Sequence, residues 1–409
     1  MRLFHTRTLA LPMIACVLVS CATATPQPPQ PTAAAAQPTA AAAQPTAAPA
    51  ALGATVAPAP TDGAGLGATV APRPTSMPPA ASDATAPTRT RNLLLQNPML
   101  EGEDVRALQD RLTKLGYAHV GTVDGVFGGQ TELAVKAFQA LNSLEVDGVV
   151  GPQTWERLFA QQAVAYDMHA VVDISRKIVI GLVNNGSWVK AEVGAPYLLP
   201  ATYISLGQGS GPLRFAGSAA KPKDDPICTW LYSVEVTDGQ SPSERFALGA
   251  DWQPMPRPVT EVPVTTASLV PPVEAALQKL GLSQPKVQIT RAIQADIDGD
   301  GTSETAVAAT KYGEGTAPSS SAQPGDYSIL VIIHADATKP ATVVASDVIT
   351  KPIEFGAPQV FSLNGLWDLN GDGRLEILAD SDYYEGDSSV VYDLPPAGPS
   401  EALSQGCGV

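Results

Sequence analysis

The sequence predicts a multi-domain protein in which a small all-α domain of three helices is followed by a mainly β domain. Three observations lead to this fold class. Apolar residues recur at helical spacing in residues 93–160, strand-like runs separated by turn signals fill residues 165–409, and one nine-residue pattern occurs twice in that second part. The β domain is expected to contain one helix and to form partial propeller-like or sandwich repeats.

Residues 1–20 have the features of an export signal. Arg2 and Arg7 precede an apolar stretch at 9–19 that is too short to cross a bilayer as a stable helix. The stretch ends in Leu18-Val19-Ser20-Cys21, which resembles the lipobox of bacterial lipoproteins. This resemblance implies cleavage before Cys21, lipid on its thiol and a membrane as partner. An ordinary signal peptide that happens to contain a cysteine is the alternative.

Residues 21–92 are predicted to be a disordered linker. They consist mainly of Ala, Pro, Thr and Gln, and Leu-Gly-Ala-Thr-Val-Ala-Pro recurs at 52–58 and 66–72. Such a segment buries too little apolar surface to offset its ordering entropy, and its prolines keep it extended. The formal net charge of -15 argues against nucleic acid as a partner of the chain.

Three amphipathic helices are predicted within residues 93–160. In the first, Val105, Leu108, Leu112 and Leu115 are spaced three, four and three apart, and Gly116 is expected to end the helix. The second is predicted from about residue 130 to residue 144. The third is short and follows Pro152. Three such helices are enough for a small core.

Two similar turns connect these helices, namely Val123-Asp-Gly-Val-Phe-Gly and Val146-Asp-Gly-Val-Val-Gly. With Ala134-Val-Lys-Ala-Phe-Gln between them, they resemble the three-helix peptidoglycan-binding domain. The resemblance implies a non-catalytic attachment module with peptidoglycan as its partner. Ligand contacts are expected around the two turns and the third helix, at Asp124, Phe127, Asp147 and Trp155. A purely structural role is the alternative for each of these four residues.

Residues 165–409 are predicted to be mainly β structure. Runs at 177–183 and 187–193 flank Asn185-Gly186, a strong hairpin signal. One helix is predicted at about 271–280. Further strands are predicted at 201–206, 229–236, 287–295, 327–334 and 389–394.

Asp296-Ile-Asp-Gly-Asp-Gly-Thr-Ser-Glu304 and Asp368-Leu-Asn-Gly-Asp-Gly-Arg-Leu-Glu376 share one pattern. Side-chain oxygens at positions one, three, five and nine, with a main-chain carbonyl at position seven, suit a hard cation. We expect two Ca²⁺ sites, because flexible loops with many oxygens favour calcium over the smaller magnesium. An Asp-Gly-rich turn that binds no metal is the alternative. The expected ligands are Asp296, Asp298, Asp300, Thr302, Glu304, Asp368, Asn370, Asp372, Arg374 and Glu376.

The repeated loop is not an EF-hand. Position twelve is Val307 or Ala379 where an EF-hand has Glu, and the flanking segments are strands rather than helices. The strand–loop–strand pattern resembles the calcium loops of integrin-type (FG-GAP or VCBS) repeats. That family usually has Asp at position nine, where this chain has Glu304 and Glu376.

Cys228 and Cys407 are predicted to form a disulfide, because export would place them where disulfides persist. Two separate buried thiols are the alternative. The bond would close a long loop within the β domain.

The sequence does not show a recognisable catalytic constellation. Its four histidines lack metal-ligand spacing, and Ser218-Ala-Ala-Lys221 is not followed by the Lys-Thr-Gly of penicillin-binding enzymes. We therefore expect a non-catalytic lipoprotein of the cell envelope, associated with the cell wall. A wall hydrolase with an unrecognised active site in residues 165–409 is the alternative.

Overall fold

The computed structural model describes residues 87–207, 213–236, 244–313, 315 and 320–408. The predicted export signal, the lipidation site Cys21 and the linker up to residue 86 lie outside the described residues. Where the chain is described, a helical segment is followed by a mainly β region with few helices, as the sequence predicts. None of the helices in these ranges combines the length and the apolar character needed to cross a bilayer.

The helical segment consists of α1 (Glu103–Lys114), α2 (Gly129–Leu141) and α3 (Pro152–Phe159). Their apolar faces meet in one core that includes the fully buried Leu112 and Leu158. The end of α1 confirms the stop predicted at Gly116. That glycine has a positive φ of 85°, and the Tyr117 amide donates to the Leu112 carbonyl at 3.0 Å, which closes the helix.

Helix α2 ends three residues before the predicted boundary. The Leu144 amide donates to the Gln139 carbonyl at 2.9 Å, and Ser143 adopts a positive φ of 56°. This is the same closing bond that ends α1, but here a serine occupies the position that glycine usually takes. The apolar pattern runs on through Leu144 and therefore does not reveal the stop.

The β region contains seventeen strands in the described ranges. In chain order they are β1 (Met168–Asp173), β2 (Ile178–Asn184), β3 (Ser187–Lys190), β4 (Ala201–Ser205), β5 (Arg214–Gly217), β6 (Lys221–Pro222), β7 (Tyr232–Ser233), β8 (Phe246–Leu248), β9 (Val259–Glu261), β10 (Ile289–Ala295), β11 (Glu304–Lys311), β12 (Tyr327–Ile333), β13 (Thr342–Val348), β14 (Val360–Trp367), β15 (Glu376–Tyr383), β16 (Gly386–Asp393) and β17 (Ser400–Gly408). Two short helices, α4 (Ala191–Gly194) and α5 (Val270–Lys279), interrupt them.

These strands form three main antiparallel sheets. The six-stranded sheet has the order β3-β2-β1-β8-β4-β5, the five-stranded sheet β13-β12-β11-β10-β9, and the four-stranded sheet β14-β15-β16-β17. The four-stranded sheet lies between the other two. Along β15, Ile377 and Ala379 enter the core shared with the five-stranded sheet, while Leu378 enters the core shared with the six-stranded sheet. This alternation follows from the two-residue period of a strand.

The outer faces of the stack are covered by helices. Helix α5 packs Val273 and Leu277 against the five-stranded sheet. The helical segment packs against the six-stranded sheet, where the Tyr166 hydroxyl donates to the Tyr197 carbonyl at 2.9 Å. His119 Nε2 contacts the same carbonyl at 2.8 Å. The helical segment is thus joined to the β region through direct packing and hydrogen bonds.

The local strand predictions have mixed outcomes. The hairpin is confirmed, because β2 and β3 pair around Asn185 and Gly186, both at positive φ. The strand predicted to continue to residue 193 is wrong, since α4 begins at Ala191 and packs that buried side chain on the sheet. The strand predicted at 229–236 is reduced to β7, because a turn links Leu231 to Cys228.

Candidate functional sites

The first turn of the helical segment is held by a glutamine. Gln109 of α1 is 1% exposed, and its amide Nε2 donates to the Asp124 carboxylate at 2.9 Å and to the Val126 carbonyl at 3.0 Å. Its carbonyl oxygen accepts a bond from the Gly125 amide at 2.7 Å. One buried side chain therefore bonds three polar groups of the turn, and Arg106 donates to the Val123 and Asp124 carbonyls at 2.9 Å each.

The second turn repeats this arrangement. Gln139 of α2, also 1% exposed, donates to the Asp147 carboxylate at 2.8 Å and to the Val149 carbonyl at 3.1 Å, and accepts from the Gly148 amide at 2.8 Å. It also donates to the Thr154 hydroxyl at 3.2 Å. The sequence prediction missed both glutamines. The sequence feature that could have indicated this arrangement is a threonine three residues after the last glycine of each turn.

The four predicted ligand contacts divide into two groups. Asp124 and Asp147 are exposed, and the hydrogen bond from Gln109 keeps the pKa of Asp124 below its usual value. Phe127 is completely buried, and Trp155 is 6% exposed with its indole N–H donating to the Pro87 carbonyl at 3.1 Å. The structure therefore assigns Phe127 and Trp155 to the core, because neither ring faces solvent. The two aspartates remain as surface groups.

The surface beside the second turn carries further groups that the sequence prediction missed. Glu132 and Lys136 form an ion pair at 3.0 Å, and both side chains lie against Gly148. Val146 is 44% exposed and Leu133 is 41% exposed. Charged and apolar groups thus meet on the same part of the surface, which suits a ligand with both kinds of group.

Loop 1 (residues 296–304) folds around its own carboxylates. Asp296 accepts hydrogen bonds from the Gly299 and Gly301 amides at 2.8 and 3.2 Å, and Glu304 accepts one from the Ile297 amide at 3.0 Å. Asp298 and Asp300 each accept from the amide two residues onward. Asp296, Asp298 and Glu304 bring one carboxylate oxygen each within 4.8 Å of the others.

Loop 2 (residues 368–376) has the same hydrogen bonds at the same positions. Asp368 accepts from the Gly371 and Gly373 amides at 2.7 and 3.1 Å, and Glu376 accepts from the Leu369 amide at 2.7 Å. Asn370 and Asp372 again bond the amide two residues onward. The repeat recognised in the sequence is therefore also a repeat of three-dimensional structure.

The two loops differ in burial. At positions one, three and nine of loop 2, Asp368 and Asn370 are each 4% exposed and Glu376 is completely buried, whereas in loop 1 Asp296 is half-buried, Asp298 is exposed and Glu304 is 7% exposed. Burial raises the pKa of Asp368 to about 6 and raises that of Glu376 well above its usual value. The second Glu376 oxygen, Oε1, is buried without a hydrogen-bond partner among the described residues. An orphaned carboxylate oxygen of this kind is costly unless a cation or a proton neutralises it.

The loops contact each other and share partners that the sequence prediction missed. The Leu375 amide of loop 2 donates to the Ile297 carbonyl of loop 1 at 2.9 Å. Arg257 donates to the Asp296 carbonyl at 2.7 Å, and the Trp252 indole N–H donates to the Asp368 carbonyl at 2.9 Å. The main-chain carbonyls of these two aspartates are thereby occupied, and Arg257 also forms an ion pair with the Asp296 carboxylate at 3.6 Å.

Position seven is Thr302 in loop 1 and Arg374 in loop 2, and neither side chain is directed to the loop centre. The Thr302 hydroxyl bonds Asp300, and the Arg374 guanidinium donates to the Leu394 carbonyl at 2.8 Å. Their carbonyl oxygens stay the predicted ligand atoms at this position. The disulfide prediction is confirmed, because Cys228 and Cys407 are bonded with their Cα atoms 5.8 Å apart.

Comparison with known proteins identifies the helical segment. The family described as "Putative peptidoglycan binding domain" matches residues 101–158, and these residues therefore belong to that family. An uncharacterised protein in the bpoA1 3' region of Kitasatospora aureofaciens is 40% identical over 90 residues, which is 20% of this chain and 75% of that protein. The two chains share one family over that stretch.

Two relatives with named activities match much less of their own length. The N-acetylmuramoyl-L-alanine amidase CwlM of Mycobacterium tuberculosis is 45% identical over 60 residues, 15% of this chain and 14% of that protein. The spore cortex-lytic enzyme of Oceanobacillus iheyensis is 43% identical over 72 residues, 18% of this chain and 25% of that enzyme. Both match only the peptidoglycan-binding segment. No solved structure matches the chain significantly.

Proposed function

We propose that this chain is a non-catalytic protein of the cell envelope that binds peptidoglycan through residues 93–160. The observation that carries the proposal is the family match over a segment whose three helices and two glutamine-held turns are all formed. The part shared with the wall enzymes is the binding segment, so their activities give no argument for catalysis by residues 165–409. The proposal includes export and a lipid anchor on Cys21, which rest on the sequence pattern at residues 1–21.

Within this proposal, Asp124 and Asp147 contact the ligand, because they are the exposed members of the predicted set. Each sits at the tip of a turn with its side chain exposed, while the amides of the two following residues are bonded within the turn. Charge-assisted hydrogen bonds to such a carboxylate are stronger than neutral ones. Replacement by Asn keeps an acceptor for the glutamine while removing the charge.

The experiment is a pull-down of the purified full chain with insoluble sacculi, run beside zymography on the same material. We expect retention without clearing of the sacculi. The double variant Asp124→Asn/Asp147→Asn should be retained about tenfold less, whereas the exposed Asp110→Asn on α1 should behave as wild type. Failure of the wild type to be retained refutes the binding proposal, and a clearing zone establishes the hydrolase alternative.

We also propose that loops 1 and 2 each hold Ca²⁺. The residues of loop 1 fit the ion, because the carboxylate oxygens of Asp296, Asp298 and Glu304 lie within 4.8 Å of one another and can reach a common cation at the ~2.3–2.6 Å typical of calcium. The fit in loop 2 is supported by the buried Glu376 oxygen that has no partner within the described part of the chain. A bound cation would supply positive charge to the carboxylates and so stabilise both loops.

Calorimetric titration of the full chain with CaCl₂ tests this second proposal. Two binding events and a rise in melting temperature are expected. Glu376→Gln should remove one event, while Glu354→Gln, an exposed residue outside both loops, should leave both unchanged. Absence of heat together with an unchanged melting temperature would exclude calcium at these loops.

A further inference from the structure

Trp230 is an exposed aromatic residue on the β domain. Its side chain is 48% exposed, whereas the other four tryptophans are buried or half-buried. Ile227, three residues earlier, is 57% exposed. Large apolar side chains grouped on the surface mark sites of interaction with a ligand or partner.

The segment that carries Trp230 is held firmly in place. Cys228 is bonded to Cys407 of β17, and Asp225 accepts hydrogen bonds from the Ile227 and Cys228 amides at 3.0 and 2.9 Å. The Leu231 amide donates to the Cys228 carbonyl at 3.2 Å. An exposed side chain on a fixed backbone loses little conformational entropy when a ligand binds.

A groove of about 510 Å³ runs beside Trp230, within the ~300–1,000 Å³ range of small-molecule sites. Its polar lining includes Lys190, Glu192, Glu401 and Gln405. Lys190, Glu192 and Glu401 make no ion pair with any residue in the described ranges. Gln405 is 7% exposed, and its amide Nε2 has no acceptor among the described residues. The groove therefore offers unused donors and acceptors next to an aromatic face.

This combination matches the chemistry of a sugar ring. The C–H face of a pyranose packs on an indole, and its hydroxyl and acetamido groups exchange hydrogen bonds with carboxylate, amide and ammonium groups. Two carboxylates disfavour a strongly anionic polymer.

The position of the groove connects it to the wall-binding domain. Lys190 also lines a second cavity, which it shares with Leu141 and Ser143 at the end of α2. The two cavities therefore lie on either side of one side chain on the edge strand β3. The groove therefore lies next to a cavity that reaches the end of α2.

We propose that the groove between Trp230 and β17 is a second binding site, specific for a neutral N-acetylated glycan chain. Trp230 stacks on a sugar ring, and Lys190, Glu192 and Gln405 bond its polar substituents. The identification of the glycan as that of the cell wall rests on the proposed function of the helical domain, whereas the sugar chemistry of the groove does not.

Titration of the purified full chain with chitohexaose, followed by tryptophan fluorescence and calorimetry, tests the proposal. Chitohexaose carries N-acetylated sugars without stem peptides, so it separates glycan binding from peptide binding. Trp230→Ala should weaken binding about tenfold, and Trp230→Phe should stay within about threefold of wild type because it keeps a stacking ring. Phe355→Ala is the matched control, since that aromatic side chain is 93% exposed outside the groove.

The outcomes separate the two proposals. Unaltered chitohexaose affinity in Trp230→Ala, or no binding by the wild type, overturns the glycan site even if sacculi still retain the chain. Chitohexaose binding that depends on Trp230 supports the glycan site. If sacculus retention is at the same time unaffected by Asp124→Asn/Asp147→Asn, the proposed ligand contacts of the helical domain are refuted while the glycan site stands. Circular dichroism and melting temperature establish that each variant is folded.

Discussion

Replacing Gln139 with leucine should weaken the second turn of the peptidoglycan-binding domain by about 3 kcal/mol. The side chain is 1% exposed and donates to Asp147, Val149 and Thr154 while accepting from Gly148. Its two amide hydrogens serve three acceptors, so the four contacts count as about three bonds at ~1 kcal/mol each. Leucine has nearly the same helix propensity and volume, so α2 itself should persist.

Hydrogen exchange followed by mass spectrometry measures this effect locally. The Gly148 amide donates only to the glutamine in the structure, and its protection should fall about 100-fold when that acceptor is removed. Because ~3 kcal/mol is less than the total stability of a typical domain, the chain should stay folded. Gln109→Leu should lower the protection of Gly125 to a similar extent, since the first turn has the same bonds.

Gln153→Leu is the control for the substitution itself, because Gln153 is exposed in the neighbouring α3. It removes the same chemical group from the surface and should change protection by less than about twofold. If the Gly148 amide is as protected from exchange in Gln139→Leu as in Gln153→Leu, the buried glutamines do not hold the turns and the reasoning is refuted.

Three further substitutions have defined outcomes. Phe127→Ala should destabilise the helical domain by about 3–5 kcal/mol in urea unfolding. Leu133 is 41% exposed, so Leu133→Ala should cost less than about 1 kcal/mol. Equal effects of the two substitutions would contradict the assignment of Phe127 to the core. The double variant Cys228→Ser/Cys407→Ser should lose about 2–5 kcal/mol in the same assay, because the bond closes a separation of 179 residues, and unchanged stability would contradict this. Burial, with the nearby Asp380 charge, raises the pKa of Asp382 to about 6. This group stabilises the fold below about pH 4 and loses that contribution as the pH rises through 6, so Asp382→Asn should gain about 1 kcal/mol at pH 8 and nothing at pH 4. A gain that is independent of pH would exclude this origin.

Much of the fold could be predicted because short-range chemistry determines it. Asn185-Gly186 adopts positive φ at low cost and so fixes the hairpin, and the spacing from Val105 to Leu112 fixes the buried face of α1. The end of α2, where Ser143 adopts a positive φ, could not be predicted in this way. The closing hydrogen bond from the Leu144 amide to the Gln139 carbonyl holds the serine in that conformation, which serine does not itself prefer.

The candidate sites were predicted where the chemistry is local and missed where it depends on packing. Loops 1 and 2 could be recognised because the residues expected to bind calcium lie within nine consecutive positions. For Phe127 and Trp155 the sequence leaves both a ligand contact and a core role open, because an aromatic residue near a turn suits either, and their burial in the structure favours the core. Trp252 and Arg257 lie far in sequence from the loops that they contact, so no spacing indicates them.

The layering of the β domain explains why two loops with one sequence pattern differ so much in burial. Loop 2 connects β14 to β15 in the four-stranded sheet, which has a neighbouring sheet on both faces. Loop 1 connects β10 to β11 in the five-stranded sheet, whose other face is covered by α5. Glu376 is therefore completely buried with one oxygen lacking a partner among the described residues, and Asn370 is buried where its counterpart Asp298 in loop 1 stays in contact with water. Because an ion in loop 2 would relieve the larger electrostatic cost, we expect calcium to bind there more tightly and to exchange more slowly. A titration in which Glu304→Gln removes the tighter of two binding events would show that burial does not set this order.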